Sequence, residues 1–189
     1  MVKDMCRYMK QLFDAYIASG HSKDIGRIME GKGKEEDIQK IKDKYPEVPE
    51  GFIALLREMD GSIVKDNGRI YRYPVFVTEG IPYALMSIQK ILDWKVPSFM
   101  DTVFTFADGE GNVDERIKKG RGRLNWLHFA NAVGGGILSQ LFIDFSPSDK
   151  GKVGQIVRYS YDECVFTVIA DNFYDYIDMV LDEGFSFLD

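Results

Sequence analysis

Few residues in this chain are placed to do covalent chemistry. His21 and His128 are the only histidines. His128 lies in a strand-like segment, and no cysteine or second histidine stands at ligand spacing from it. It reads as a core or interface histidine. A Ser–His or Cys–His dyad assembled only by the fold stays open, but no nucleophile elbow or signature sequence supports one. Gly134-Gly135-Gly136 invites a phosphate-loop reading, yet it lacks the G-x-x-x-x-G-K-[ST] pattern and no convincing helix follows it. It reads as a flexible strand connection, and Gly31-Lys32-Gly33-Lys34 fails the same test. Asp108, Glu110, Asn112 and Asp114 alternate like calcium-loop ligands. The twelfth position from Asp108 is Lys119 rather than Glu, so this is not an EF-hand, and weak cation binding is the most it allows. Lys118-Lys119-Gly120-Arg121-Gly122-Arg123 is a basic run beside Trp126, suited to RNA or an acidic partner. Asp108, Glu110, Asp114 and Glu115 oppose it, and a solvated loop is the plainer reading. No catalytic residue, metal site or cofactor is expected, and the chain is read as a non-enzyme.

Charge is the more informative feature. Residues 1–158 carry all 24 Lys and Arg against 22 acids, a balance of +2. Residues 159–189 carry eight acids and no Lys or Arg, a balance of −8. A nucleic-acid binder would show a basic field. An acidic end suits a basic protein partner instead. Asp171, Asp175, Asp178 and Asp182 fall at i, i+4, i+7 and i+11, one face of a helix. A solvated face opposite a buried one would explain them. However, Asp182 and Glu183 sit at the helix C-terminus, where the macrodipole disfavours anions by about 0.3–1 kcal/mol each. No Lys or Arg follows at i+4 to compensate. Such a face can steer a basic partner at long range.

The elements that must hold these residues follow from periodicity. The chain has 189 residues, 45% hydrophobic and 13% aromatic, which suits one globular domain, 1–189. Apolar runs are short, as at Val165–Ala170, so no membrane span is expected. The start, MVKDMCRYMK, lacks an apolar signal region, and Cys6 and Cys164 read as free thiols of a reducing, cytoplasmic compartment. Residues 4–19 predict an amphipathic helix with Met5, Met9, Leu12, Phe13, Tyr16 and Ile17 in its stripe. That stripe admits a homodimer. Short helices are expected at Asp24–Met29 and Glu35–Lys44. In 45-YPEVPEGFIALLREMDGS-62, Pro49 fits the first helical turn, and Phe52, Ile53, Leu55, Leu56 and Met59 supply a core face. Arg69–Thr78 reads as strand, with an edge or a break at Pro74. A short helix is expected over residues 83–93, and short strands at Val103–Ala107, Leu124–Ala130, Leu138–Phe145, Lys152–Tyr159 and Val165–Ala170. Polar turns favour antiparallel pairing. A last helix starts at the Asp171 cap and stops at Gly184. In 141–145, alternation puts Phe142 and Asp144 on one face and Ile143 and Phe145 on the other. A sheet covered on one side and open on the other would make Asp144 a polar handle. The other reading, that Asp144 only ends the strand by bonding turn N–H groups, is left equally open.

Three segments, in order, resemble the SUKH superfamily, whose members include bacterial toxin-immunity proteins and fungal cell-wall-assembly regulators. They are 49-PEGFIALLREMDGS-62, 125-NWLHFANAVGGGILSQLFIDF-145, and 151-GKVGQIV-157 with the strand and helix after it. The likeness spans residues 35–183, leaving 1–34 as a helical extension. It implies an α+β fold, a mostly antiparallel bent sheet flanked by helices. It also implies a non-catalytic module that binds a protein, often a nuclease toxin, so the chain is expected to be a cytosolic immunity protein. A regulatory or scaffold module without a toxin is the alternative. The partner-binding residues expected are Trp126 and Asp144 on the sheet and Asp171, Asp175, Asp178 and Asp182 on the last helix. No nucleic acid or membrane partner is expected.

Overall fold

The computed structural model describes residues 2–98, 100, 104, 112–120, 122, 124–134, 136 and 138–188. Four helices come first: α1 (Val2–Ala18), α2 (Ser22–Met29), α3 (Glu35–Lys44) and α4 (Glu50–Glu58). Then come β1 (Ile63–Asp66), β2 (Arg69–Arg72), β3 (Phe76–Thr78), β4 (Ile81–Leu85) and α5 (Ile88–Asp93). The chain continues through β5 (Trp126–Ala132), β6 (Ser139–Asp144), β7 (Gln155–Ser160) and β8 (Val165–Ala170), and ends with α6 (Phe173–Glu183) and a 3-10 turn, Ser186–Leu188. Strands β3 to β8 pair antiparallel in chain order, and β1 and β2 form a separate hairpin. The architecture is α+β, helices around a curled antiparallel sheet.

Burial explains the helices. Met5, Tyr8, Met9, Leu12 and Tyr16 give α1 an apolar stripe that is buried in the core. The Tyr8 hydroxyl donates to the Val75 carbonyl, and Tyr16 Oη donates to Pro74 O at 2.8 Å. These bonds fasten α1 just before β3, where Pro74 breaks the extended run. The expected homodimer through this stripe loses its basis, because the stripe faces inward. Only Ile17 of the stripe is exposed.

Two expectations need correcting. The segment 83–93 is not one helix. Leu85 is bonded on both sides to Ser62, its N–H to Ser62 Oγ and its carbonyl to Ser62 N–H. This holds β4 extended, and α5 starts only after its Ser87 cap. The cap of α6 is Asn172 rather than Asp171. Asn172 Oδ1 accepts from Tyr174 N at 2.9 Å and Asp175 N at 3.1 Å. The strand expected at Val103–Ala107 lies outside the described residues apart from Phe104.

Both faces of the sheet are covered. Leu127, Phe129, Leu141, Ile143 and Ile156 join the core under the helices, with Phe52, Phe173 and Tyr176. On the other face Trp126, Phe142, Val157, Tyr159 and Phe166 pack with Met100, Phe104 and Ile117. The alternation expected in 141–145 is therefore present, but the Phe142 face is not open to a partner. It carries a second, smaller core.

The β8 edge is covered too. Phe166 N donates to Asn112 O at 2.8 Å, and Asp114 N donates to Phe166 O at 2.9 Å. Beyond that, side chains continue the ladder: Val168 N donates to Asp114 Oδ2 at 3.3 Å, and Arg116 Nη2 donates to Val168 O at 3.0 Å. An edge strand with bare N–H and C=O groups invites pairing with another chain, and this strap removes that edge.

Candidate functional site

The expected partner-binding residues separate by burial. Trp126 and Asp144 are paired across the β5–β6 ladder, and they are only 1% and 0% exposed. Neither reaches the surface, because residues of the second core lie over that face. Asp144 Oδ1 accepts from Ser146 N at 2.7 Å, and Oδ2 accepts from Gln155 Nε2 at 2.9 Å. Burial pushes its carboxyl up, and these hydrogen bonds oppose the rise. The Trp126 indole N–H makes no hydrogen bond among the described residues, yet lies close enough to favour the charged carboxylate electrostatically. Gln155 Nε2 also donates to Arg116 O at 3.1 Å. Asp144 thus closes the turn after β6 and, through Gln155, seats the 112–117 strap. It is a brace under the surface.

Asp175, Asp178 and Asp182 lie on the last helix, Asp171 just before its Asn172 cap, and the four are not equivalent. Asp171 pairs with Lys152 Nζ at 2.5 Å, and Arg116 lies at 4.0 Å. The Lys152 ammonium holds its carboxyl below the ordinary value. Asp175 accepts from the neutral Asn172 Nδ2 at 2.6 Å. Asp178 and Asp182 are exposed and form no ion pair among the described residues. Glu183 has a structural partner: its carboxylate accepts from Glu79 N at 3.1 Å and Gly80 N at 2.5 Å. Those two residues form the β3–β4 turn, both at positive φ, which a two-residue hairpin loop of this kind requires. The helix thus ends on a carboxylate that satisfies a turn, and that offsets the macrodipole penalty noted from the sequence.

The registers bring further acids to the same place. Thr78↔Ile81 puts the Glu79–Gly80 turn at one end of the sheet. Ser139↔Ser160 and Ser160↔Val165 put the Tyr161–Cys164 turn at that same end. Asp162 and Glu163 are exposed there, without ion pairs among the described residues. Glu79 is neutralised by Arg158 Nη1 at 2.5 Å. Residues 73–89, 124–149 and 159–189, which build this end, contain no Lys or Arg. Glu79, Asp162 and Glu163 were missed in the sequence. The signal that would have found them is that cation gap, read together with the hairpin pairing.

Other chemistry-bearing residues are dispersed. His128 is buried, with Nε2 2.9 Å from Asn131 Oδ1. His21 lies 3.5 Å from Asp24 at the surface. Cys6 and Cys164 are free and exposed. Asp114 is occupied by Arg116 at 2.7 Å, while Asp108 and Glu110 of the calcium-like spacing, Gly135, Arg121 and Arg123 lie outside the described residues. Among the described residues no cluster of His, Cys, Asp or Glu could hold a metal ion. No helix among them is long and apolar enough to cross a membrane.

The structure is an antiparallel sheet wrapped by helices, with Glu79, Asp162, Glu163 and Glu183 brought to one end of the sheet. The SMI1 / KNR4 family (SUKH-1) matches residues 32–179, and the chain belongs to that family. No curated protein sequence matches it. Membership places the chain among immunity and regulatory modules in the broad sense. Helices α1 and α2 precede the matched region, though α1 is packed into the main core.

Proposed function

We propose that this protein is a non-catalytic binding module that takes a basic protein partner at the acidic end of its sheet. The partner is a toxin domain, of nuclease type, which the protein neutralises in the cytoplasm as an immunity protein. One observation carries the reading. Asp175, Asp178 and Asp182 stand exposed on α6 with Asp162 and Glu163 at the neighbouring turn, and no Lys or Arg occurs in residues 159–189. A cluster of like charges that the protein does not neutralise raises its own electrostatic energy, and a cationic partner relieves it. A nuclease presents such a surface, because it binds phosphates. An acidic face would steer the encounter and occupy that surface. Trp126 and Asp144 serve from beneath by fixing the β6–β7 hairpin, and Asp171 is already paired.

The test uses two columns. One carries the protein, the other the Asp175→Lys, Asp178→Lys, Asp182→Lys variant, each loaded with lysate of the source organism. Recovery of a basic protein on the first only, whose toxicity is relieved by co-expression, is the expected result. Equal recovery on both would sink the acidic helix as the interface. A non-toxic partner would replace immunity with a regulatory or scaffold role.

A further inference from the structure

We infer that the outer edge of β2 takes an extended, acidic peptide segment of a partner protein as a third strand beside the β1–β2 hairpin. This surface is separate from the acidic end and uses none of its residues.

The edge is bare. In the hairpin Ile63 pairs with Arg72 and Asp66 with Arg69, and Tyr73 N donates to Ser62 O at 2.8 Å. Main-chain groups of an antiparallel pair face the partner strand at every second residue. Arg69, Tyr71 and Tyr73 therefore turn theirs to β1, and Ile70 and Arg72 turn theirs outward. No strand lies beyond β2. Neither outward residue enters a main-chain hydrogen bond across that edge among the described residues. The β8 edge has its 112–117 strap, whereas this edge has no such cover among the described residues.

Side chains decide what can pair there. Lys65, Arg69 and Arg72 are exposed and form no ion pair among the described residues, and Asp66 is the only acid in residues 63–72. Cations on an edge strand block pairing, and here they block it selectively. A second copy docking through β2 would set arginine against arginine, which is unfavourable. An acidic strand meets the same arginines as opposite charges. Ile70, 56% exposed, lies directly across from Lys65. An isoleucine adds nothing to repulsion, but it packs against an apolar neighbour on an added strand. The outward main-chain groups include donors and acceptors, which a peptide backbone matches and a phosphate, an acceptor only, does not.

The probe is acetyl-Glu-Val-Val-Glu-amide, whose antiparallel register sets its glutamates opposite Arg72 and Arg69 and a valine opposite Ile70. It is titrated at low salt into ¹⁵N-labelled full-length protein and followed by NMR. Saturable downfield shifts are expected at the Ile70 and Arg72 amides, larger than at Tyr71, whose N–H already faces β1. The same peptide N-methylated at its first and third residues keeps every side chain but loses the N–H groups that face β2. It should bind about tenfold or more weaker, the scale of two lost hydrogen bonds. A peptide with lysine for glutamate should bind about fivefold or more weaker. The Arg69→Glu, Arg72→Glu variant should reverse that preference, with its unchanged spectrum outside the hairpin showing that it folds. Equal binding of the N-methylated peptide would reduce the contact to charge and overturn the added strand. Shifts confined to other regions, or a preference unchanged in the folded variant, would do the same. Tighter binding of a single-stranded oligonucleotide at these amides would assign the cations to phosphate, and concentration-dependent shifts without peptide would assign the edge to a second copy. Either result would also overturn the inference.

Discussion

His128 is enclosed by Trp94 and Phe142, with ring centroids 5.8 and 5.0 Å away, and burial lowers its pKa from 6.5 to about 4 against an opposing bond from Asn131. The unfolded chain therefore takes up the proton first as pH falls. The stability tied to the neutral ring is complete above pH 6.5 and is lost progressively toward pH 4, about 3 kcal/mol in all. Urea denaturation from pH 7 to 4 should show this decline, and His128→Gln should flatten it whatever its stability at pH 7. An unchanged slope in that variant would assign the decline to other groups. The sequence placed His128 in a strand and made it a core or interface residue, which is where burial puts it. It could not separate Asp171 from Asn172 as the cap. Both side chains are competent acceptors, and only the extended backbone at Asn172 decides. Trp126 and Asp144 show the same limit more sharply. Period-two alternation shows which residues share a face, but not what covers that face, and the cover comes from Met100, Phe104 and Ile117, distant in sequence.

Among the elements, the strap over β8 is the least legible part of the fold. Asn112 and Asp114 were noticed for calcium-like spacing, but Asp114 acts as a ladder acceptor. Burial works to raise its pKa, and the bonds from Arg116 and the Val168 N–H outweigh that and leave it lowered. Its partner strand lies more than fifty residues later, a separation that local pattern cannot bridge. A depressed carboxylate contributes stability above its ordinary pKa and loses it as pH falls through the folded value. The strap should therefore loosen below about pH 4, which amide exchange at Phe166 and Val168 would report. At neutral pH, Asp114→Asn should speed exchange at Val168 about tenfold or more, by local opening with the main core intact. Uniform acceleration across all strands would instead make Asp114 part of global stability. Hairpins were easier where their chemistry is local. Asn67–Gly68, both at positive φ, is a recognisable two-residue turn and marked the β1–β2 hairpin that sequence reading passed over. Glu79–Gly80 is not recognisable in this way, because glutamate is a poor residue at positive φ and its support is the remote Glu183 carboxylate.

For the molecule as a whole, the split between a balanced body and an acidic final segment needed only counting, and so it was visible before any fold. What counting could not show is that the turns carrying Glu79, Asp162 and Glu163 meet the C-terminal end of α6 at one end of the sheet. On the proposed reading, the acids there without an ion pair among the described residues, Asp162, Glu163 and Asp182, act as one field with a direction. A field of this kind governs approach more than residence. Raising salt from 10 to 100 mM shortens the screening length from about 30 to about 10 Å. The association rate with the captured basic partner should therefore fall about tenfold over this range. The dissociation rate, set by short-range contacts, should change by less than about twofold. In the Asp175→Lys, Asp178→Lys, Asp182→Lys variant the association rate should be slower at 10 mM and nearly independent of salt. Stopped-flow binding of both proteins across the salt series measures these slopes. Parallel slopes would mean that the field of α6 does not guide the partner, and the acidic end would then be solvated surface.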